Sequence, residues 1–135
     1  MAPGSDIHLL VITPERQVLE QPVDSVVIPA HDGELGVLRN RAALMCELGI
    51  GQLRYTAGGR TQRMFIDGGF AQVLDNQVTV LTNHALPDEA VTAEVVAAAT
   101  RAAGEERGHD EQSIQARQQA QRRLSVLRHL FKSGN

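Results

Sequence analysis

The sequence contains few of the residues that build disulfide-bonded, membrane-spanning or nucleic-acid-binding proteins. It has no Trp, one Tyr and three Phe, so we expect a core of aliphatic side chains. Its single cysteine, Cys46, cannot form an intramolecular disulfide or a cysteine-built metal site, and it fits a reducing compartment. No apolar run approaches the roughly 20 residues of a membrane helix, and residues 1–17 lack the basic segment of a secretory signal. The net charge of −3 gives no basic field that would attract nucleic acid. We expect a soluble chain that reaches a membrane only through a partner.

Short strand-like runs separated by glycine or Asx residues fill the chain as far as residue 86. Val, Ile, Phe and Thr dominate residues 64–67, 70–74 and 77–82, which suits a pleated, half-buried surface. Between these runs lie Gly68 and Gly69, and then Asp75 and Asn76; we predict a tight hairpin at each pair because these residues tolerate positive φ. A further hairpin is predicted at Gly58. Eight or nine short strands at this spacing are typical of an antiparallel sandwich or barrel.

The composition changes at Leu86 and Pro87, and beyond them the pattern is helical. An alanine-rich helix is predicted over residues 90–103, and a second one begins near His109 or Asp110. Residues 87–111 carry seven carboxylates and two arginines, a net charge of −5, whereas residues 112–135 carry five basic residues and no acid. These opposite charges favour an antiparallel hairpin, although exposed pairs contribute only about 0.2–1 kcal/mol each. The expected contact stripe on the second helix is mostly small, so we predict a hairpin that can leave its packing site. The stripe is Ala116, Ala120, Leu124, Leu127 and Phe131.

No group of residues has the spacing of a catalytic or metal site. His31, Asp32 and Glu34 lie close together, but they lack the ordered spacing of a metal site, and a solvated acidic contact loop is the better interpretation. No nucleophile and base are suitably spaced, so an enzyme is the least favoured of three functional hypotheses. From the residues alone, a β-sandwich adaptor that docks its helices on an unrelated partner stays open.

Three stretches resemble the ε subunit of F-type ATP synthases, the counterpart of the mitochondrial δ subunit. They are residues 32–38 (DGELGVL), residues 67–70 (DGGF) with Val73 following, and residues 76–85 (NQVTVLTNHA), which lead into the helical tail. The resemblance implies an antiparallel β-sandwich over residues 1–86 and a two-helix hairpin over residues 87–135. It also implies a non-catalytic subunit of the central stalk, part of the rotor, which couples rotation of the membrane c ring to the catalytic head. Its location would be cytoplasmic and peripheral, on the inner face of the energy-transducing membrane.

The resemblance also implies contact residues, position by position. Asp32 and Glu34 match the loop that meets the c ring, and Arg41 and Cys46 fall where the family contacts the γ subunit. On the last helix, Arg122, Arg123 and Arg128 match basic residues that face the catalytic β subunits, where the hairpin inhibits ATP hydrolysis in many members. Several positive charges on one mobile helix would attract an acidic surface of this kind over a long range.

The chain departs from the family pattern in two places. Residues 39–44 read RNRAAL where the family commonly has Pro-Gly-His-Ala-Pro-Leu. Some bacterial members bind ATP through an Ile-Asp-x-x-Arg-Ala motif at the start of the last helix. Residues 108–113, GHDEQS, keep neither half of that motif, so we do not predict ATP binding. We predict no cofactor and no metal.

Overall fold

The computed structural model of the chain describes residues 7–105 and 107–133, which form a β-sandwich followed by two helices. A 3₁₀ turn, Asp88–Ala90, leads from the sandwich into the helices α1, Ala93–Glu105, and α2, Glu111–Ser133. The strands are β1 Ile7–Ile12, β2 Gln17–Val23, β3 Ser25–Ala30, β4 Gly33–Val37, β5 Leu44–Ala57, β6 Arg60–Leu74, β7 Gln77–Leu81 and β8 Ala85–Pro87.

The strands lie in the order β2-β1-β7-β6-β5-β3-β4, and β8 pairs with β6. The predicted sandwich and the two C-terminal helices are confirmed. One pair, β1 with β7, is parallel, with Leu9 opposite Val78 and Val11 opposite Val80, so the sheet is mixed and not wholly antiparallel. Residue patterns along one strand reveal its buried face but not the direction of a partner about 70 residues away, which is why this pair was not foreseen.

The core between the two layers is aliphatic, as expected. Alternate residues of each strand point inward, and Leu9, Ile28, Leu53 and Ile66 are among those that are completely buried. Burial at about 25 cal/mol per Å² of apolar surface makes this core the main source of stability for the sandwich.

Two of the predicted hairpins are present. Gly58 and Gly59 join β5 to β6 with φ values of 59° and 80°, and Asp75 and Asn76 join β6 to β7 with φ values of 51° and 63°. Two consecutive residues of positive φ are typical of the type I′ turn, whose twist matches that of the flanking strands.

The hairpin predicted at Gly68 and Gly69 is wrong, because both residues lie inside the single strand β6. Their φ values of 69° and 103° make a kink instead of a reversal. Across the kink the inward-facing positions shift by one residue, from Met64 and Ile66 before it to Ala71 after it. Because of this kink, the single strand β6 takes part in both layers, as bent strands do at the corners of β-sandwiches.

The helices pack against each other and on the outside of the sandwich. Near the start of α1, Val95 and Val96 join one apolar cluster with Leu127 and Leu130 from the end of α2, so the two helices run antiparallel as predicted. Phe65 of β6 completes the cluster from the sandwich side. Leu130 is completely buried although the predicted stripe did not include it.

Each helix begins at a capping residue. The Thr92 hydroxyl accepts a hydrogen bond from the Val95 amide at 3.3 Å, so α1 starts three residues later than predicted. Asp110 precedes α2, as predicted, and its hydrogen bond with the Ser113 side chain lowers the pKa of its carboxyl group. No helix in residues 7–105 and 107–133 combines the length and apolar character that crossing a bilayer requires.

Candidate functional site

The acidic loop between β3 and β4 presents two exposed carboxylates in different settings. Asp32 lies in the turn, just before Gly33, whose φ of 135° reverses the chain. Glu34 lies at the start of β4, and its two carboxylate oxygens accept hydrogen bonds from the Arg54 guanidinium at 2.6 and 3.4 Å. A bidentate pair of this kind fixes the orientation of the carboxylate. Arg54 lies 20 residues away, and no local pattern signals this contact.

A row of large apolar side chains is exposed on the outside of strands β5, β6 and β7. Met45 is 68% exposed, Phe70 55%, Leu81 52% and Leu74 46%. Phe70 pairs directly with Leu81, and Met45 lies opposite Gln72 on the same outward side. We call Met45, Phe70, Leu74 and Leu81 the outer apolar face. Scattered exposed apolar residues are ordinary on a protein surface, but four large ones on three neighbouring strands, with the polar Gln72 between them, are typical of a contact surface.

Sequence reasoning missed the outer apolar face, although the signal was present. Ala71 and Val73 are buried, so the residues that alternate with them in β6 must point outward. Phe70 and Leu74 occupy those outward positions, where a solvated sheet would carry polar residues.

The two predicted γ-contact residues lie in different environments. Arg41 is exposed in the turn after β4, where its amide donates to the Leu38 carbonyl at 3.2 Å. Cys46 is half-buried on β5 and packs against the sandwich core, and this burial raises the pKa of its thiol. Its neighbours Met45 and Glu47 are the exposed residues of that stretch.

The turn that contains Arg41 is tied to the hairpin beside the outer apolar face. The Asn40 amide donates to the Asn76 side-chain oxygen at 2.5 Å, and the Asn76 side chain donates back to Asn40 at 3.3 Å. Arg41 therefore lies at the rim of the outer apolar face, on a turn whose position is fixed by two hydrogen bonds.

In the docked hairpin the three predicted arginines of α2 lie in different environments. The Arg123 Nε donates to the Asp67 carboxylate at 2.9 Å, and the Arg122 Nε donates to the Ile50 carbonyl at 3.1 Å. Both therefore bind the outside of the sandwich. Arg128 is exposed on the other side of the helix, near His129 and Lys132. Asp67 was not predicted as a contact, because 56 residues separate it from Arg123.

An open cleft of about 1050 Å³ separates the first half of α2 from the sandwich. Phe70 and Leu81 line one wall, and Gln119, Arg122 and Arg123 line the other, so the cleft continues the outer apolar face toward the hairpin. Within the described residues, no three His, Cys, Asp or Glu side chains are grouped as ligands for a metal ion.

Comparisons with known proteins match the sandwich to one family. The family described as "ATP synthase, Delta/Epsilon chain, beta-sandwich domain" matches residues 6–88. An ATP synthase epsilon chain of Nitratidesulfovibrio vulgaris is 48% identical over 79 residues, which are 58% of this chain and 59% of that one. An epsilon chain of Rhodopirellula baltica is 49% identical over 81 residues, which are 60% of this chain and 63% of that one. The chain therefore aligns with less than two thirds of the length of either relative.

Two solved structures extend the similarity across the helices. A chain from the mitochondrial ATP synthase of Euglena gracilis, in an OSCP/F1/c-ring structure, has a TM-score of 0.73 and 29% identity, with 97% of this chain and 82% of that chain covered. A chain from the Tetrahymena thermophila mitochondrial central stalk and c ring has a TM-score of 0.66 over 99% of this chain and 100% of that one; at 16% identity it shows the fold alone. With the family match across the whole sandwich, these findings show that the chain belongs to the ATP synthase delta/epsilon chain family.

Proposed function

We propose that this chain is a non-catalytic rotor subunit of a proton-translocating F-type ATP synthase, on the central stalk between the c ring and the catalytic head. The observation that carries the proposal is the outer apolar face, which lies on the sandwich that defines the family. A surface of this kind is typical of a contact with a partner protein. The similar Euglena chain comes from an assembly that contains F1 and the c ring, which supports the same setting for this chain.

The γ subunit is the proposed partner of the outer apolar face. Phe70 and Leu81 would supply the central apolar contact, and Arg41 would lie at the polar rim, an arrangement typical of stable interfaces. Cys46 would contribute through its strand, because its side chain faces the core while Met45 and Glu47 face outward.

The acidic loop is the proposed contact for the c ring. Asp32 is exposed at the tip of the turn, and Glu34 stands beside it with its carboxylate held by Arg54. We expect Asp32 to make the stronger contact with a basic partner loop, since the charge of Glu34 is already shared with Arg54. Anchored in this way, the chain would lie peripherally on the inner face of the membrane.

The helical hairpin, residues 87–135, is the proposed inhibitory unit, and residues 1–86 are the proposed stalk unit. Arg122, Arg123 and Arg128 would meet the acidic surface of the catalytic β subunits when the hairpin extends. In the docked arrangement Arg122 and Arg123 bind the sandwich, so inhibition would first require that the hairpin leave it.

The proposal is tested by purifying the full chain together with the γ subunit of the same organism. Phe70→Glu places a charge in the middle of the outer apolar face, and we expect it to weaken the one-to-one complex by at least about 100-fold, a typical loss at an interface hot spot. The control is Arg60→Glu, which changes the charge at the exposed hairpin at the far end of β6 and should leave binding unchanged. Unchanged binding of Phe70→Glu would refute the assigned face, and no binding of the unaltered chain would favour the adaptor hypothesis instead.

The inhibitory role has its own test in the assembled membrane complex. Removal of residues 87–135 should raise the rate of ATP hydrolysis, because the proposed inhibitory contact is then absent. An unchanged rate would refute inhibition while leaving the γ contact intact.

A further inference from the structure

The contact between the hairpin and the sandwich combines an apolar cluster with a charge pair. Phe65, Val91, Leu127 and Leu130 are buried together in this contact. Beside them the Asp67 carboxylate accepts the hydrogen bond from the Arg123 Nε at 2.9 Å. Such a pair is more sensitive to the loss of one partner than a surface pair, because the remaining charge stays in a poorly solvated place.

The backbone and the carboxylate of Asp67 have different partners. The backbone is fixed by residues 82–84: the Asp67 amide donates to the Thr82 hydroxyl at 3.1 Å and to the His84 carbonyl at 3.1 Å. Asn83 donates to the Asp67 carbonyl at 3.1 Å. The carboxylate instead accepts its hydrogen bond from Arg123, on α2. The backbone contacts therefore join parts of the sandwich to each other, and the carboxylate joins the sandwich to the hairpin.

We propose that Asp67 and Arg123 form a latch that keeps the hairpin docked and holds back an arginine needed by its extended form. Asp67 would act as an internal substitute for the acidic surface of a partner. In this way the docked and extended states compete for the same guanidinium. The effect of the latch on ATP hydrolysis rests on the proposed inhibitory function, whereas the docking itself does not.

The two sides of the latch differ in their access to water. The Arg123 side chain is 38% exposed, so it can be hydrated without moving, whereas the Asp67 side chain is 7% exposed. Removal of Arg123 leaves a buried carboxylate that regains water most simply when α2 moves away. Removal of the Asp67 charge leaves an arginine that is already partly solvated. Arg123→Ala should therefore open the hairpin more than Asp67→Asn does.

The test is hydrogen exchange of the full-length chain, followed in peptides from α2. We expect exchange in α2 to accelerate about tenfold in Asp67→Asn and more in Arg123→Ala, while peptides from β1 and β7 keep their protection. Arg128→Ala is the matched control, since it removes an exposed arginine of the same helix and should leave exchange unchanged. Asn is nearly isosteric with Asp, so Asp67→Asn retains the backbone contacts; if it failed to fold, Arg123→Ala would still decide the question.

Unchanged α2 exchange in Arg123→Ala would overturn the latch, and so would an equal acceleration in Arg128→Ala. A second measurement separates the latch from the inhibitory function. In the assembled complex, Asp67→Asn should lower the rate of ATP hydrolysis at least about twofold, because Arg123 is released. Faster exchange with an unchanged rate would support the latch and refute the inhibitory function; unchanged exchange would refute the latch whatever the rate.

Discussion

The kink in β6 makes a strong prediction about Gly69. A Cβ atom at this position would lie 1.9 Å from the Leu81 carbonyl oxygen and 2.9 Å from the Thr82 Cα. The φ of 103° is itself unfavourable for any residue with a side chain and costs about 1–2 kcal/mol. The neighbouring atoms belong to backbone and cannot rotate away, so displacement of β7 should add about 1–3 kcal/mol or more. We expect Gly69→Ala to reduce the free energy of unfolding by about 2–5 kcal/mol, a large part of the roughly 5–15 kcal/mol of an ordinary domain.

Two other glycines separate the dihedral cost from the steric one. Gly58 has a φ of 59° with no atom within 4 Å of an added methyl group, so Gly58→Ala should show the dihedral cost of about 1–2 kcal/mol alone. Gly36 has neither a positive φ nor a close neighbour, and Gly36→Ala should be neutral or stabilise by about 0.5 kcal/mol. Urea unfolding of the three variants, with unchanged m-values, gives the comparison. If Gly69→Ala cost no more than Gly58→Ala, the role assigned to the close approach of β7 would be refuted.

Three further predictions concern the hairpin contact and the cysteine. Leu130→Ala removes a completely buried side chain and should destabilise hairpin docking by at least about 2 kcal/mol, which corresponds to about a 30-fold increase in α2 hydrogen exchange. An increase no greater than that in Leu124→Ala, which alters a half-buried residue, would contradict this prediction. Gln52 lies opposite Phe65 on the strand face below α2, and its buried side-chain oxygen has no partner within the described residues. Gln52→Leu should therefore stabilise docking of the hairpin by about 1 kcal/mol and slow hydrogen exchange in α2. Faster exchange in α2 would count against this explanation. Burial raises the pKa of the Cys46 thiol, so the folded state favours the neutral thiol. The resulting contribution to folding stability is present below the ordinary thiol pKa and is lost as the pH rises through the pKa of the folded state. At about pH 8, near the ordinary thiol pKa, iodoacetamide should therefore alkylate Cys46 more slowly in the folded chain than in the urea-unfolded chain. Equal alkylation rates, measured by mass spectrometry, would refute this protection of the thiol.

Features that depend on neighbouring residues were predicted well. Asp75 and Asn76 signal a hairpin because their own side chains tolerate positive φ, and the structure has the hairpin there. Gly68 and Gly69 give the same local signal, yet they form a kink inside β6. Positive φ values occur in both places, and only pairing with distant strands decides whether the chain reverses. A turn and a kink therefore cannot be separated by local residue preferences.

Features that join distant parts of the chain were not accessible from the sequence. The Glu34 contact with Arg54 and the Asp67 contact with Arg123 span 20 and 56 residues. Each pairs two charged residues among many similar ones, so composition alone could not select them. The three predicted arginines lie on α2, but their residue types could not show that Arg123 faces the sandwich in the docked hairpin while Arg128 faces away.

The kink at Gly68 and Gly69 brings two contact surfaces onto one short piece of backbone. Asp67 lies on its hairpin side and Phe70 on the outer apolar face, and three residues of extended chain span at most about 10 Å. A partner bound to Phe70 would therefore lie close to Asp67, the residue that pairs with Arg123 of α2. By thermodynamic reciprocity, any preference of that partner for the docked hairpin must equal the effect of docking on its affinity. Under the proposed function, such a preference would link binding at the outer apolar face to release of the hairpin through the short segment from Asp67 to Phe70.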